Sequence, residues 1–186
     1  MSKEKMTFGG TRLNSNPKTK RPLCSKRAIH VVLKSKWATG TFSMLQHYNC
    51  KKIDTLIREH AKACSIRIYN IVNVGNHIHI VMKLDDKNSY SKFIRVISGV
   101  IARHVLRRER GKAQKDGQQH KRKLKKIKFW LARPFTRILT WGRDYNHIHK
   151  YMIKNQNDAK RTMTAWGFDV VDVSLILQLN TRLNSG

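Results

Sequence analysis

The chain is poor in acidic residues, in cysteine and in long apolar runs, and each shortage excludes a class of protein. Only 11 Asp and Glu oppose 39 Lys and Arg in 186 residues, which gives a formal net charge of +28. Such an imbalance costs stability through self-repulsion and is best explained by a polyanionic partner. We therefore expect a nucleic acid as the partner, with an acidic membrane surface as the second candidate.

The other shortages concern the compartment. No apolar run approaches the roughly 20 residues of a membrane span, and the basic segment at residues 1–21 has no apolar signal-peptide core. Cys24, Cys50 and Cys64 are odd in number and include no CxxC pair, which argues for reduced thiols and against a structural zinc knuckle. These features predict a cytoplasmic, nucleoid-associated protein without a membrane segment.

Glycine, proline and charge divide the chain into one domain with tails. Residues 1–23 contain basic side chains and helix breakers, which predicts a flexible basic arm. Residues 24–160 hold the periodic apolar patterns of the domain, and residues 161–186 form a predicted C-terminal tail. Inside the domain, residues 107–128 carry 11 Lys or Arg and two glycines, so we expect a mobile basic loop there.

Apolar periodicity predicts elements in the order β-α-β-β-α-β-α. They are a strand at 27–36, a helix at 51–64, strands at 66–74 and 78–84, a helix at 89–108, a strand region at 129–141 and a helix at 144–158. Pro134 predicts an edge position or a bend in the last strand region, and Asp144 is available as the N-cap of the last helix. This order is close to the ferredoxin-like (RRM-like) plan, an α+β fold with an antiparallel sheet and helices packed on it.

The chain has two His-x-His pairs, and the predicted secondary structure separates them. His77 and His79 fall in a strand, where residues two apart point to the same face, so both could bind one metal ion. His147 and His149 fall in a helix, where residues two apart lie about 200° apart and cannot converge on one ion. The alternative for the strand pair is that two histidines simply cover part of a sheet face.

A second pattern lies in the last predicted helix, where Tyr151 and Asn155 stand one turn apart on one face. An amide oxygen beside two imidazoles makes a mixed, fairly hard site that suits Mg²⁺ or Mn²⁺ better than a closed zinc site. The alternative for Tyr151 is a core tyrosine whose hydroxyl is hydrogen-bonded. Tyr145 lies six residues earlier on a different helical face, which makes it the weaker candidate for a nucleophile.

Two motifs carry a family resemblance. The sequence Asn76-His77-Ile78-His79, together with Tyr151-Met152-Ile153-Lys154-Asn155, resembles the single-tyrosine HUH transposases and within them the REP-associated tyrosine transposases. The stretch Arg133-Pro134-Phe135-Thr136-Arg137-Ile138 resembles the segment before the tyrosine helix in that group, and the similarity spans roughly residues 24–160. Such proteins often have Met-Pro before Asn-His, whereas this chain has Val74-Gly75, a change in the turn and not in a ligand.

The resemblance implies a role for each of these residues. His77 and His79 would be the metal-binding pair, Tyr151 the nucleophile, and Asn155 the third ligand of a Mg²⁺ or Mn²⁺ ion. It also implies cleavage of single-stranded DNA next to a REP-like hairpin, with a 5′-phosphotyrosine link and a free 3′-OH as products. The chemistry fits, because a free phenol is only about one part in a thousand ionised at pH 7, a deficit of about 4 kcal/mol, and a divalent ion can supply several kcal/mol.

Basic side chains of the arm, the loop and the segment before the tyrosine helix are predicted to hold the DNA backbone through counterion release. The predicted DNA contacts are Arg21, Lys26, Arg27, Lys121, Arg122, Lys123, Lys125, Lys126, Arg133, Arg137 and Arg143. The alternative is disordered surface charge. Tryptophans at 37, 130 and 141 could stack on unpaired bases or pack in the core.

Two competing functions stay open. A non-catalytic RNA- or DNA-binding protein on the same scaffold would need aromatic side chains on the central strands, where Tyr69 is the one obvious candidate. A zinc hydrolase that uses water as its nucleophile lacks a well-placed carboxylate near His77 to act as base. The oligomeric state, monomer or homodimer, is likewise open.

Overall fold

The computed structural model describes residues 6–10, 20–112 and 128–165. Within these ranges the chain forms five strands, three long helices and a 3₁₀ turn at Gly40–Phe42. The elements are β1 (Thr7–Phe8), β2 (Ile29–Lys34), α1 (His47–Ala63), β3 (Ile66–Asn73), β4 (His77–Leu84), α2 (Lys87–Lys112), β5 (Phe135–Ile138) and α3 (Arg143–Ala165). No helix in this part of the chain is both long and apolar enough to cross a membrane.

The five strands form one antiparallel sheet in the order β1-β5-β2-β4-β3. Without β1, the order β5-β2-β4-β3 and the chain order β-α-β-β-α-β are those expected of the ferredoxin-like plan. The α+β prediction, an antiparallel sheet with helices packed on it, is therefore confirmed.

Strand alternation builds the main core on one face of the sheet. In β2 the buried residues Ile29, Val31 and Leu33 alternate along the strand, and each is paired in register with an apolar residue of β4, as in Val31 opposite Ile80. α1 and α2 cover this face with side chains spaced three or four residues apart, which is the period of one helical face. The apolar residues of α1 and α2 with at most 1% exposure are Ile53, Ile57, Ala61, Phe93, Ile97, Ile101 and Val105. Burial of each large aliphatic side chain stabilises the fold by about 1.5–3 kcal/mol, so this face accounts for most of the apolar stabilisation.

The third helix, α3, packs on the opposite face of the sheet. Ile148 and Met152 of α3 form a second, smaller core with Ala28, Val72 and Val81 from three parts of the sheet layer. Further along the helix, Ala159 packs against Leu45 in a separate small cluster. Because α3 covers only part of this face, the ends of β2 and β4 beside it are left for a site.

Several predicted boundaries are wrong. α2 continues to Lys112, so residues 107–112 of the predicted loop are helical, whereas 113–127 and the tail from 166 lie outside the described residues. Asp144 is not the N-cap of α3 but a member of its first turn, where it accepts hydrogen bonds from the Thr140 backbone N–H and from Arg137. Pro134 precedes β5 directly, at a strand start where its missing N–H is harmless.

β1 was not foreseen. The sequence predicted a flexible arm over residues 1–23, yet Thr7 and Phe8 pair with Arg137 and Thr136 of β5. After the strand, the Gly10 N–H donates to the Arg133 carbonyl at 3.0 Å. Two residues of the predicted arm are therefore part of the sheet, and β5 is paired on its outer side.

Candidate active site

A tight turn between β3 and β4 sets the position of the histidine pair. Gly75 has φ +95°, a conformation that side chains disfavour, and a Cβ there would lie 3.1 Å from Ser43 Oγ. The Asn73 side chain accepts from the Gly75 N–H at 3.0 Å, and the Val74 N–H donates to the His77 carbonyl at 2.9 Å. The turn makes His77 the first residue of β4 and puts His79 on the same face two residues later.

The structure brings the predicted nucleophile to this pair. The ring centroids of His77 and His79 are 4.8 Å apart, and the His79 and Tyr151 centroids are 5.5 Å apart with the rings nearly perpendicular. Tyr151 lies on α3 with 43% of its surface exposed, so it is not the core tyrosine of the alternative interpretation. All three side chains line one cavity of about 490 Å³.

Hydrogen bonding determines which nitrogen of His77 is available. Its Nδ1 lies 2.5 Å from the Asn76 side-chain oxygen. Because an amide oxygen can only accept, Nδ1 carries the proton and Nε2 keeps its lone pair. Burial, and secondarily Lys34, lowers the pKa of His77, which favours the neutral ring that a metal requires. Sequence reasoning named Asn76 only as part of a motif.

His79 has a second histidine as its partner, which sequence reasoning missed. His79 Nδ1 lies 3.0 Å from His30 Nε2, and the two rings are within 8° of parallel with centroids 5.3 Å apart, so they meet edge to edge. Burial, followed by the charges of the neighbouring histidines, lowers the pKa of His79 to about 3, while burial and then Arg137 lower the pKa of His30 to about 4. Both imidazoles are therefore neutral near pH 7.

The buried polar atoms fit a ligand in this cavity. His79 Nε2 is buried and has no hydrogen-bond partner within the described residues, and an unpaired buried group of this kind costs about 1–3 kcal/mol. A metal ion would satisfy it. Among the described residues there is no cluster of three or more His, Cys, Asp or Glu able to hold a metal, so a site here depends on the histidine pair and a different donor.

Asn155 is the predicted third metal ligand, but it lies outside the group of residues that line the cavity with His77 and His79. It lies one turn after Tyr151 on the packed side of α3, between Met152 and Ala159. Its Nδ2 atom is buried without a hydrogen-bond partner in the part of the chain that the structure describes. Asn155 is not one of the residues that line the cavity, so its role as a ligand stays a prediction.

The cavity is also lined by apolar and by positively charged residues. Besides the histidines and the tyrosine, the lining residues are Gly9, Gly10, Val32, Lys34, Ala132, Arg133 and Phe135. Lys34 is paired with His77 across the β2–β4 ladder. The sequence did carry a signal for Lys34, because strand alternation puts residues 30, 32 and 34 on one face.

The predicted DNA-binding residues lie in different environments. Arg133 lines the cavity, and Lys26 and Arg143 are exposed, whereas Arg27 is half-buried. Arg137 forms an ion pair with Asp144 and is partly exposed. The five residues from the basic loop, namely Lys121, Arg122, Lys123, Lys125 and Lys126, lie outside the described residues.

Arg21 was predicted to contact DNA, but the structure gives it an internal role. Its guanidinium donates to the Pro134 carbonyl and to Thr136 Oγ1, both at 2.8 Å, and lies over the Phe8 ring at 4.4 Å. Burial, as the main cause, lowers its pKa. These contacts join the chain that follows β1 to β5, so Arg21 stabilises the wall of the cavity.

Aromatic side chains gather at the start of α3. Tyr69 of β3 contacts Trp141 and Tyr145 edge to face, with centroids 5.8 and 6.3 Å apart. Tyr145 is thus packed among rings, and burial followed by the nearby Tyr69 raises its pKa. Trp141 is 53% exposed. Neither Tyr145 nor Trp141 lines the cavity that holds the histidines.

Comparison with known proteins gives a family match. The family model described as "Transposase IS200 like" matches residues 24–156, and among curated proteins nothing matches the chain. A solved structure titled as a REP-associated tyrosine transposase bound to a REP hairpin is 14% identical, with a TM-score of 0.48, 75% of this chain and 72% of that chain covered. A putative transposase from Deinococcus radiodurans R1 is 14% identical, with a TM-score of 0.43 and coverage of 77% and 98%.

Proposed function

Because the chain belongs to the family of IS200-like transposases, we propose that it is a metal-dependent single-stranded DNA endonuclease and strand transferase that acts at DNA hairpins. One observation carries the proposal. The Tyr151 ring stands 5.5 Å from the His79 ring, in the same cavity as His77. The hairpin substrate follows from the resemblance of the two motifs, and the enzyme would work on chromosomal DNA in the cytoplasm.

The proposed reaction is an exchange of one phosphodiester for another. Tyr151 loses its phenolic proton and its oxygen attacks the scissile phosphorus, while the bond from phosphorus to the 3′ oxygen breaks. The leaving oxygen takes up a proton and becomes a free 3′-OH, and the DNA 5′ end stays on Tyr151 as a phosphotyrosine. Because one ester replaces another, a 3′-OH can attack the phosphotyrosine and rejoin strands without a nucleotide cofactor.

The chain's own groups divide the remaining work. The Nε2 atoms of His77 and His79, with Asn155 as the third donor, would hold a Mg²⁺ or Mn²⁺ ion, and such an ion supplies charge withdrawal from the non-bridging phosphate oxygens. Tyr151 is exposed, so an incoming phosphate can reach it without unpacking α3. Lys34 and Arg133 line the cavity and would hold the DNA backbone on either side of the break.

The test is covalent capture. The purified full chain is incubated with an end-labelled single-stranded DNA hairpin and Mg²⁺ or Mn²⁺, then separated by denaturing electrophoresis. The wild type should form a labelled adduct, and Tyr151→Phe should form none while it still binds the hairpin. Tyr145→Phe is the matched control because it removes a phenol from the same helix, outside the cavity, and it should form the adduct.

The outcomes separate the two open functions. An adduct that persists in Tyr151→Phe contradicts the assignment of the nucleophile. A different result would support the non-catalytic binding protein: the wild type binds the hairpin with or without metal but forms no adduct, and His77→Ala leaves that binding unchanged.

A further inference from the structure

One buried histidine takes no part in the proposed reaction. His30 is the second residue of β2, is 4% exposed, and faces the same side of the sheet as the histidine pair. Register places it opposite Val81 of β4 and Arg137 of β5. Its flanking residues Ile29 and Val31 point into the apolar core on the other face, so an apolar residue at position 30 would satisfy the strand pattern equally well.

The contacts of His30 are aimed at His79. Its Nε2 lies 3.0 Å from His79 Nδ1, and the two rings are within 8° of parallel. Phe135 packs edge-on against the His30 ring, with centroids 6.3 Å apart, which holds the ring from the β5 side. The orientation of His30 is therefore determined from both neighbouring strands.

Only one proton can lie between two neutral imidazole nitrogens, so there are two arrangements. If His30 donates, His79 carries its proton on Nε2, and that nitrogen cannot bind a metal. If His79 donates from Nδ1, its Nε2 has a free lone pair. The second nitrogen of each ring, His79 Nε2 and His30 Nδ1, is buried without a hydrogen-bond partner within the described residues; in the second arrangement His30 carries its proton on Nδ1 and His79 Nε2 is free for a ligand.

We propose that His30 is a positioning residue for the metal site: it accepts the Nδ1–H of His79, so that His79 presents the lone pair of Nε2 to a divalent cation. This inference rests on the proposed function. It gives the two ligands parallel support, because the Asn76 oxygen already accepts the Nδ1–H of His77. Partners of this kind fix the tautomer and the ring orientation of metal-binding histidines.

His30 is not itself a third ligand. Its Nε2 is engaged by His79, and the three histidines do not form a metal-binding cluster among the described residues. If His30 acts in this way, position 30 needs a side chain that accepts a hydrogen bond from His79 Nδ1–H, and that side chain does not have to be an imidazole.

The experiment measures Mn²⁺ binding to the metal-free full chain by titration with electron paramagnetic resonance, without DNA or turnover. His30→Leu removes the acceptor, whereas His30→Gln places an amide oxygen near the position of Nε2. We expect His30→Leu to weaken Mn²⁺ binding by about 10–100-fold and His30→Gln to stay within about threefold of the wild type. His104→Leu is the matched control: this half-buried histidine of α2 faces Tyr48 of α1 instead of the cavity, and its loss should leave Mn²⁺ binding unchanged.

Thermal unfolding of the metal-free variants reports their folding, and if His30→Leu does not fold, His30→Met replaces it in the comparison with His30→Gln. The proposal is overturned if Leu or Met binds Mn²⁺ like the wild type, or if Gln loses as much affinity as they do. Failure of the proposed function gives a different result. A wild type that binds no Mn²⁺ overturns both the metal-dependent function and the role of His30. If the wild type binds Mn²⁺ and forms the DNA adduct, but the His30 variants bind Mn²⁺ equally well, only the role of His30 is overturned.

Discussion

The two faces of the sheet are made by the same strands but differ in the side chains that they carry and in how completely helices cover them. On β4, Ile78, Ile80 and Met82 point to α1 and α2 and are fully buried in an apolar core. The alternate residues His77 and His79 point to the other face, which α3 covers only in part. One face stabilises the fold, and the other holds polar groups whose nitrogens are unsatisfied within the described residues.

The difference shows how a small protein can carry a buried polar site. Unpaired polar groups are costly, and here those beside the cavity are tolerated next to a core built mainly from aliphatic side chains. Substitutions on the two faces should therefore have separable effects, which the following predictions test.

The largest expected effect is a loss of catalysis that leaves the free energy of unfolding almost unchanged. His77→Ala removes one proposed ligand, and because a bound ion contributes several kcal/mol, covalent adduct formation should fall about a thousandfold. His77 is half-buried, and among the described residues its side chain is hydrogen-bonded to its neighbour Asn76 alone, so the free energy of unfolding should change by about 1 kcal/mol or less. Single-turnover electrophoresis and urea unfolding measure the two quantities. Chelation of metal from the wild type should reproduce the catalytic loss; if cleavage continues in EDTA, the metal assignment is wrong.

The opposite result is expected for Ile80, three residues after His77 on β4: a large loss of stability with adduct formation retained. Ile80 is fully buried, and Ile80→Ala leaves a cavity that should lower the free energy of unfolding by about 2–5 kcal/mol. Urea titration followed by circular dichroism measures this loss. Below the unfolding transition, the folded variant should still form the DNA adduct; an Ile80→Ala protein that is fully stable but inactive would break the distinction between the faces.

A smaller effect is expected at the cavity wall. Gly9 has φ +79°, and a Cβ there would lie 2.2 Å from the Pro134 carbonyl oxygen. Gly9→Ala should therefore loosen β1 from β5 and lower the free energy of unfolding by about 1–3 kcal/mol. The matched control is Gly99→Ala in α2, where a Cβ meets nothing within 4 Å. That control should instead stabilise the protein by about 0.5–1 kcal/mol; equal melting temperatures for the two variants would contradict the tight packing of β1.

The smallest expected effect concerns charge at the site. Lys34 is exposed and lines the cavity, so Lys34→Gln should remove about one phosphate contact. The slope of log affinity for single-stranded DNA against log salt should then decrease by about 0.7, with no change in stability. Lys62→Gln at the far end of α1 is the control and should leave the slope unchanged. Identical slopes for wild type and Lys34→Gln would place the DNA elsewhere.

Much of the fold could be predicted because local patterns agree with it. Alternation in β2 and β4, the turn at Gly75 and the helical spacing of α1 and α2 each depend on residues close in sequence. The convergence of His77 with His79 followed from the strand period alone. That Tyr151 meets them depended on the family resemblance, because nothing in the periodicity says which face of the sheet α3 covers.

The remaining features depend on contacts between distant residues. β1 has only two residues, too few for a periodic pattern, and it is held by pairing with a strand more than a hundred residues later. The partnership of His30 with His79 follows from the β2–β4 register, which sequence patterns do not specify. Arg21 was assigned to DNA because of its charge, yet its length lets it reach Thr136 inside the protein.

The close approach of Tyr151 to His79 occurs within a single polypeptide. Under the proposed function, His77, His79 and Tyr151 of one copy would therefore act together on the same DNA strand. Two inactive chains, one lacking the phenol and the other lacking His77, should consequently fail to rescue each other when they are mixed. Under the proposed function, rescue by mixing would instead mean that the phenol of one copy acts with the histidines of another.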